Sequence, residues 1–169
     1  EKGEIALCIL SAINLGLIRD KDELEGLCDL SVRALDEIID YQEYPIEAAR
    51  ISAESRRSLG IGYIGLAHYL AKNHVKYDDP KALELVDETT EAFQYYLLKA
   101  SNNLAKEKGK CDYFHKTKYS DGILPIDTYK KDLDKVIKRK LSYDWKQLRK
   151  DIQEHGLRHS TLSAQMPSE

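Results

Sequence analysis

With 169 residues, 42% apolar and 33% charged, the chain has the size and composition of one globular domain with a sizeable core, which excludes a disordered or low-complexity segment. A net charge of −3 gives no general attraction to nucleic acid, and no run reaches the ~20 apolar residues that span a bilayer, so neither a nucleic-acid nor a membrane partner is expected. Three cysteines without a C-x-x-C spacing fit a reducing compartment rather than a disulfide framework, and a cytoplasmic protein is expected.

In chain order, "EIALCILSAINLG" is a short continuous apolar run closed by Asn14 and Gly16, the pattern of a strand buried on both faces, as in a parallel sheet. It lacks the basic lead and cleavage site of a secretory signal. Asp20 and Glu23 form a D-x-x-E capping box, and Leu24, Leu27, Cys28, Ser31, Leu35, Ile38 and Ile39 predict an amphipathic helix over 21–41. Pro45 ends that region, and residues 46–55 form a further short helix. "RRSLGIGYI" predicts a second strand and "GLAHYLAKN" the helix that follows it. Asp79 and Pro80 are an N-cap and N1 pair. From there an unbroken 3/4 spacing runs through Leu83, Val86, Thr90, Phe93, Leu97, Ala100 and Leu104 to Gly109.

Residues 110–127 read as loop, with a turn at Ser120-Asp121-Gly122. "DTYKKDLDKVIKR" and "YDWKQLRKDIQEH" predict two more helices, the basic run Lys135–Lys140 being a solvated helix end. "LRHSTLSAQMP" predicts a third strand ending at Pro167. Strand, helices, strand, helices, strand, without a hairpin signal, is the order of parallel α/β structure. The chain opens into one strand-like run and stops just after another, so a single segment of a longer protein, incomplete at both ends, is expected.

Gly60, Gly62 and Gly65 have the G-x-G-x-x-G spacing of a dinucleotide loop. Such a loop needs its glycines after the strand and an acid about 20 residues on. Here Gly60 and Gly62 fall within the strand, and Asp79 is already a helix cap. The glycines are therefore read as permitting close approach of something packed on the strand, or a bend in it. A nicotinamide-dependent oxidoreductase is disfavoured on the same ground. His155 and His159 are separated by a helix-ending Gly156, and His68 and His74 lie on different helix faces, so neither pair is read as metal ligands. The eleven tyrosines are read as packing residues.

Four blocks, "GEIALCILSAINLG", "RRSLGIGYIGLAHYLAK", "GILPIDTYKKDLD" and "HGLRHSTLSAQMPSE", together resemble one family, the large catalytic subunit of class I ribonucleotide reductase, over essentially the whole chain. The resemblance implies part of the later half of a ten-stranded α/β barrel, predominantly helical with a few short parallel strands. It also implies participation in reducing ribonucleoside diphosphates to deoxyribonucleotides by radical chemistry. It places Cys8 as one thiol of the redox-active pair, and Pro167, Ser168 and Glu169 at the loop that cradles the substrate phosphates. Cys28 and Cys111 match no such position and stay structural. The radical-bearing cysteine, the partner of Cys8 and the allosteric sites fall outside these residues, so the segment alone is expected to be inactive. No cofactor or metal is expected on the segment itself. The implied partners are the rest of the large subunit, a metal-containing small subunit that supplies the radical, the nucleoside diphosphate, and thioredoxin or glutaredoxin as reductant. The alternative is a non-catalytic helical interaction module derived from such an enzyme, separable by whether the longer reading frame carries the radical cysteine.

Overall fold

Two helices carry the core because their apolar positions recur on one face. In the computed structural model, which describes residues 3–166, α1 (Glu23–Tyr41) buries Leu24, Cys28, Val32, Leu35 and Ile39. The long α4 (Pro80–Lys108) buries Phe93, Leu97, Leu98 and Leu104 against it. Asp79 starts α4 by accepting the backbone N–H of Lys81 at 2.9 Å, and Pro80 at the first position gives up no helical hydrogen bond. Each fully buried leucine here contributes about 2 kcal/mol of transfer free energy.

The strands β1 (Ile9–Asn14) and β2 (Leu59–Ile64) pair in parallel with Leu10 opposite Gly60 and Ala12 opposite Gly62. Between them run α1 and α2 (Glu47–Arg56), and α3 (Leu66–Lys72) follows β2. The third predicted strand is present as a parallel bridge from Ser163 to Ile61. Backbone bonds from Leu59 to Thr161, from Ile61 to Leu162 and from Ala164 to Ile61 extend it. β2 is thus the middle of three aligned segments, the arrangement expected of successive parallel crossovers. α5 (Trp145–His155) packs Trp145, Leu148 and Ile152 into the same core.

Three expectations need correction. The first apolar run is not buried on both faces: Ile13 is buried, whereas Leu10 is 63% exposed and Cys8 and Ala12 are exposed. The helices cover the face bearing Ile13, Leu59, Ile61 and Leu162; no helix covers the other face, where Gly60 and Gly62 lie under Leu10 and residues 164–166 while Cys8, Leu10 and Ala12 stay exposed. The strand is also shorter than predicted, because Asn14 accepts the N–H of Gly16 at 3.0 Å and turns Leu15–Leu17 into a 3₁₀ turn. Finally, 127–139 is not a helix. Asp127 instead accepts from the N–H of Leu124 and pairs with Arg149, which closes a turn at Pro125–Asp127. Only Lys131–Lys135 coils, as a 3₁₀ turn, with Leu133 and Val136 exposed and no apolar stripe to bury. The basic run is accordingly no helix end; its Arg139 folds back onto Glu91 of α4 at 2.5 Å.

Among the described residues, no helix is long and apolar enough to cross a membrane.

Candidate active site

The bare sheet face collects the residues with chemistry. Cys8 lies one residue ahead of β1, exposed, its thiol unbridged. A Cβ built on Gly60 would lie 3.6 Å from Cys8 Sγ, 3.4 Å from the Ala164 Cβ and 2.6 Å from Leu10 Cδ2. The thiol, the Leu10 side chain and the last described segment therefore converge over one glycine in the middle strand. The sulfur does not lie against the backs of the helices. Pro167, Ser168 and Glu169 lie outside the described residues, but the segment leading to them, through Gln165 and Met166, runs over this same face.

The G-x-G-x-x-G glycines are now accounted for singly. Gly60 sits under Leu10 and Cys8, Gly62 sits under residues 164–166, and Gly65 adopts φ +71 at the start of α3. A Cβ on Gly65 would lie 2.3 Å from the Asn14 Oδ1 that closes the β1 turn, so both backbone conformation and space demand glycine there. None of the three forms a phosphate loop between a strand and its helix; the first two lie inside β2.

Behind the face, a buried polar cluster fixes the ends of the strands. Asp36, on the core side of α1, has no exposed surface. Its Oδ1 accepts from Arg57 Nε at 2.6 Å, His159 Nε2 at 3.1 Å and Arg158 Nε at 3.2 Å, and Lys108 Nζ stands 3.5 Å from Oδ2. Arg57, held at φ +50 where α2 ends, also donates to Asp40 at 2.7 and 2.8 Å. Burial alone would raise the Asp36 carboxyl, but its hydrogen bonds to His159 and Arg57 and the charges of Arg57 and Arg158 hold it well below the usual range. Burial pushes His159 below its ordinary value, against the pull of Asp36, so the imidazole is neutral at pH 7. With Nε2–H donated to Asp36, Nδ1 accepts from the Ser101 hydroxyl at 2.9 Å. Arg57 lies two residues ahead of β2 and His159 two residues ahead of Thr161, which pairs with Leu59; the intervening Ser58 and Ser160 meet at 3.1 Å. One carboxylate thus ties two neighbouring strands at the same level.

The sequence reading did not single out Asp36. The available signal was an acid in the apolar stripe of 21–41, beside Leu35 and Ile39. His155 stands exposed beside Glu154 while His159 is buried on Asp36, so the two are not brought together. Cys28 and Cys111 are buried, and burial pushes their thiols up to about 12 and about 11. Neither is ionised at neutral pH, and thiol chemistry needs the thiolate. Among the described residues no group of three or more His, Cys, Asp or Glu is placed to hold a metal ion.

Comparison with known proteins identifies the family. The family model of the ribonucleotide reductase barrel domain matches residues 1–169. The ribonucleoside-diphosphate reductase alpha subunit of Haemophilus influenzae is 64% identical over 169 residues, covering all of this chain and 22% of the relative. Subunit alpha of reductase 1 from Escherichia coli is 62% identical over 131 residues, 78% of this chain and 17% of the relative. The alpha subunit of Helicobacter pylori is 32% identical over 169 residues, 98% of this chain and 21% of the relative. The chain therefore spans about a fifth of the length of the curated relatives it matches. By the family match along its whole length, this chain belongs to the ribonucleotide reductase barrel-domain family.

Proposed function

We propose that the chain acts as part of the alpha subunit of a ribonucleoside-diphosphate reductase, with Cys8 as one of two reducing thiols and residues 167–169 in the phosphate cradle. The bare face is then part of the inner wall of the barrel, and its substrate a ribonucleoside diphosphate. The observation that carries the reading is the convergence of the Cys8 sulfur and Ala164, the start of the 164–166 segment, over Gly60.

The electron balance explains why a thiol is needed at that place. Replacing a ribose C2′–OH by C2′–H and releasing the oxygen as water takes two electrons and two protons. Two thiols supply both and end as a disulfide, which thiol–disulfide exchange with a thioredoxin- or glutaredoxin-type dithiol restores. The second thiol and the radical that opens the reaction lie outside this chain, the radical being supplied by a metal-containing small subunit. What the chain contributes is the placing of one sulfur. Cys8 is accessible to both substrate and reductant on the open face, whereas Cys28 and Cys111 are sealed in the core. A dithiol that must be re-reduced each cycle fits the reducing cytoplasm.

Phosphate binding follows from the place where the third parallel segment leaves the sheet. Backbone N–H groups and hydroxyls suit an anion, and Ser168 supplies one hydroxyl. Glu169 is better suited to a ribose hydroxyl, or to offering only its N–H.

The test is Cys8→Ser in the intact alpha subunit, assayed with its small subunit. Cys8 is exposed, so the exchange leaves the core untouched. Multiple-turnover deoxynucleotide formation with a thioredoxin system should be lost, while nucleoside diphosphate binding persists. Wild-type turnover in Cys8→Ser would end the assignment.

A further inference from the structure

The last described segment does not simply run beside β2; it crosses onto it. A Cβ on Gly62 would lie 2.6 Å from the carbonyl oxygen of Ala164 and 2.9 Å from Met166 Cε. The closer of these is main chain, which cannot swing aside as a side chain can. At Gly60 the nearest atom is the free end of Leu10, a side chain that can rotate away. Of two glycines in one strand, only Gly62 is covered by backbone.

A second observation concerns Gln165. Its Oε1 accepts the N–H of Tyr63 at 3.2 Å, and its Nε2 donates to the C=O of Tyr63 at 2.7 Å. One side-chain amide thus takes both backbone groups that a residue of an adjacent strand would take. It continues the ladder just past the Ser163 bridge and the Ala164 N–H bond to Ile61, while the main chain from the Ala164 carbonyl onward turns over the sheet. The arrangement needs both parts: glycine at 62 provides the room, and the Gln165 amide provides the lock.

We infer that Gly62 and Gln165 are positioning residues for the substrate, acting through the chain segment that leads to Pro167, Ser168 and Glu169. The inference rests on the proposed function above. Neither residue touches substrate. They fix where the 164–166 segment leaves the sheet relative to the Cys8 thiol, since Ala164 and Cys8 flank the same glycine, and through it the start of the proposed cradle. Misplacing the cradle weakens a contact made equally in ground and transition states, which raises KM and leaves kcat nearly unchanged.

The experiment uses the intact alpha subunit with its small subunit and a thioredoxin system, and cytidine diphosphate as substrate. Gly62→Ala should raise KM about tenfold with kcat within about twofold of wild type. Gln165→Ala should raise KM by about threefold, and the double variant should resemble Gly62→Ala because both act through one segment. Gly26→Ala, on the exposed side of α1 with open space around it, should match wild type. A purely structural role would lower the active fraction, hence kcat, at unchanged KM; that pattern, or wild-type KM in both variants, overturns the inference. If Gly62→Ala does not fold, the exposed Gln165→Ala decides alone. If wild type reduces no nucleoside diphosphate, the proposed function fails instead. Amide exchange at Tyr63 then decides the docking: faster exchange in Gln165→Ala supports it, and unchanged exchange overturns it.

Discussion

Asp36 shows how a charge can be kept without solvent. A buried carboxylate with one partner would be a liability, but three cations and a histidine share this one. Its loss should be correspondingly severe. Asp36→Asn removes the buried charge shared by Arg57, Arg158 and Lys108, leaving Arg57 only the half-exposed Asp40 as a counter-charge, and is expected to cost about 3–5 kcal/mol, seen as a lowered unfolding midpoint in urea. The same cluster sets a pH dependence. Folded His159 titrates below its ordinary 6.5, so the unfolded chain takes up this proton first as pH falls. Stability from the neutral imidazole is complete above about pH 6.5 and declines below it, by at most about 1.4 kcal/mol per pH unit. Asp36, depressed from 3.8, adds stability that is present above that value and drains away only at lower pH. Thermal unfolding midpoints should therefore slope between pH 6.5 and 5, and His159→Asn should flatten that slope; an unchanged slope would show that another group sets it.

The elements differ in how openly the sequence declared them. The helices over 23–41 and 80–108 were legible because one apolar face and, for the second, a strong cap point to the same answer. Leu97, fully buried on α4 within the shared core, is a measure of that packing: Leu97→Ala should cost about 3 kcal/mol in chemical denaturation, with an equivalent change at exposed Leu83 costing well under 1. The segment 127–139 misled because its composition suits a helix while its fate is settled elsewhere, by Arg149 claiming Asp127. The first strand misled differently. An apolar run reads as buried on both faces, yet here Leu10 and Cys8 point to an opening that the rest of a barrel would enclose. The proposal of Cys8 as a site residue rests on family resemblance; its place beside Gly60 and Ala164 depends on long-range pairing that no local pattern encodes. The roles of Gly62 and Gln165 were likewise invisible, because each is defined by a segment a hundred residues away in the chain.

At the scale of the whole molecule, helices cover one side of the sheet and leave the side that carries the thiol without a helical layer among the described residues; on the proposed function, the rest of an alpha subunit encloses that side. By itself the 169-residue chain should form no deoxynucleotide from any nucleoside diphosphate with small subunit and thioredoxin present, and product above background would contradict the division of labour proposed here. The sheet also has a lateral consequence. Among the described residues β1 is hydrogen-bonded to β2 on one side only, so its outer rim offers free donors and acceptors next to bare Leu10. Rims of that kind recruit copies of themselves. Concentrated solutions of the chain should scatter light increasingly with time, and a lysine in place of Leu10, useless for turnover, should keep them clear.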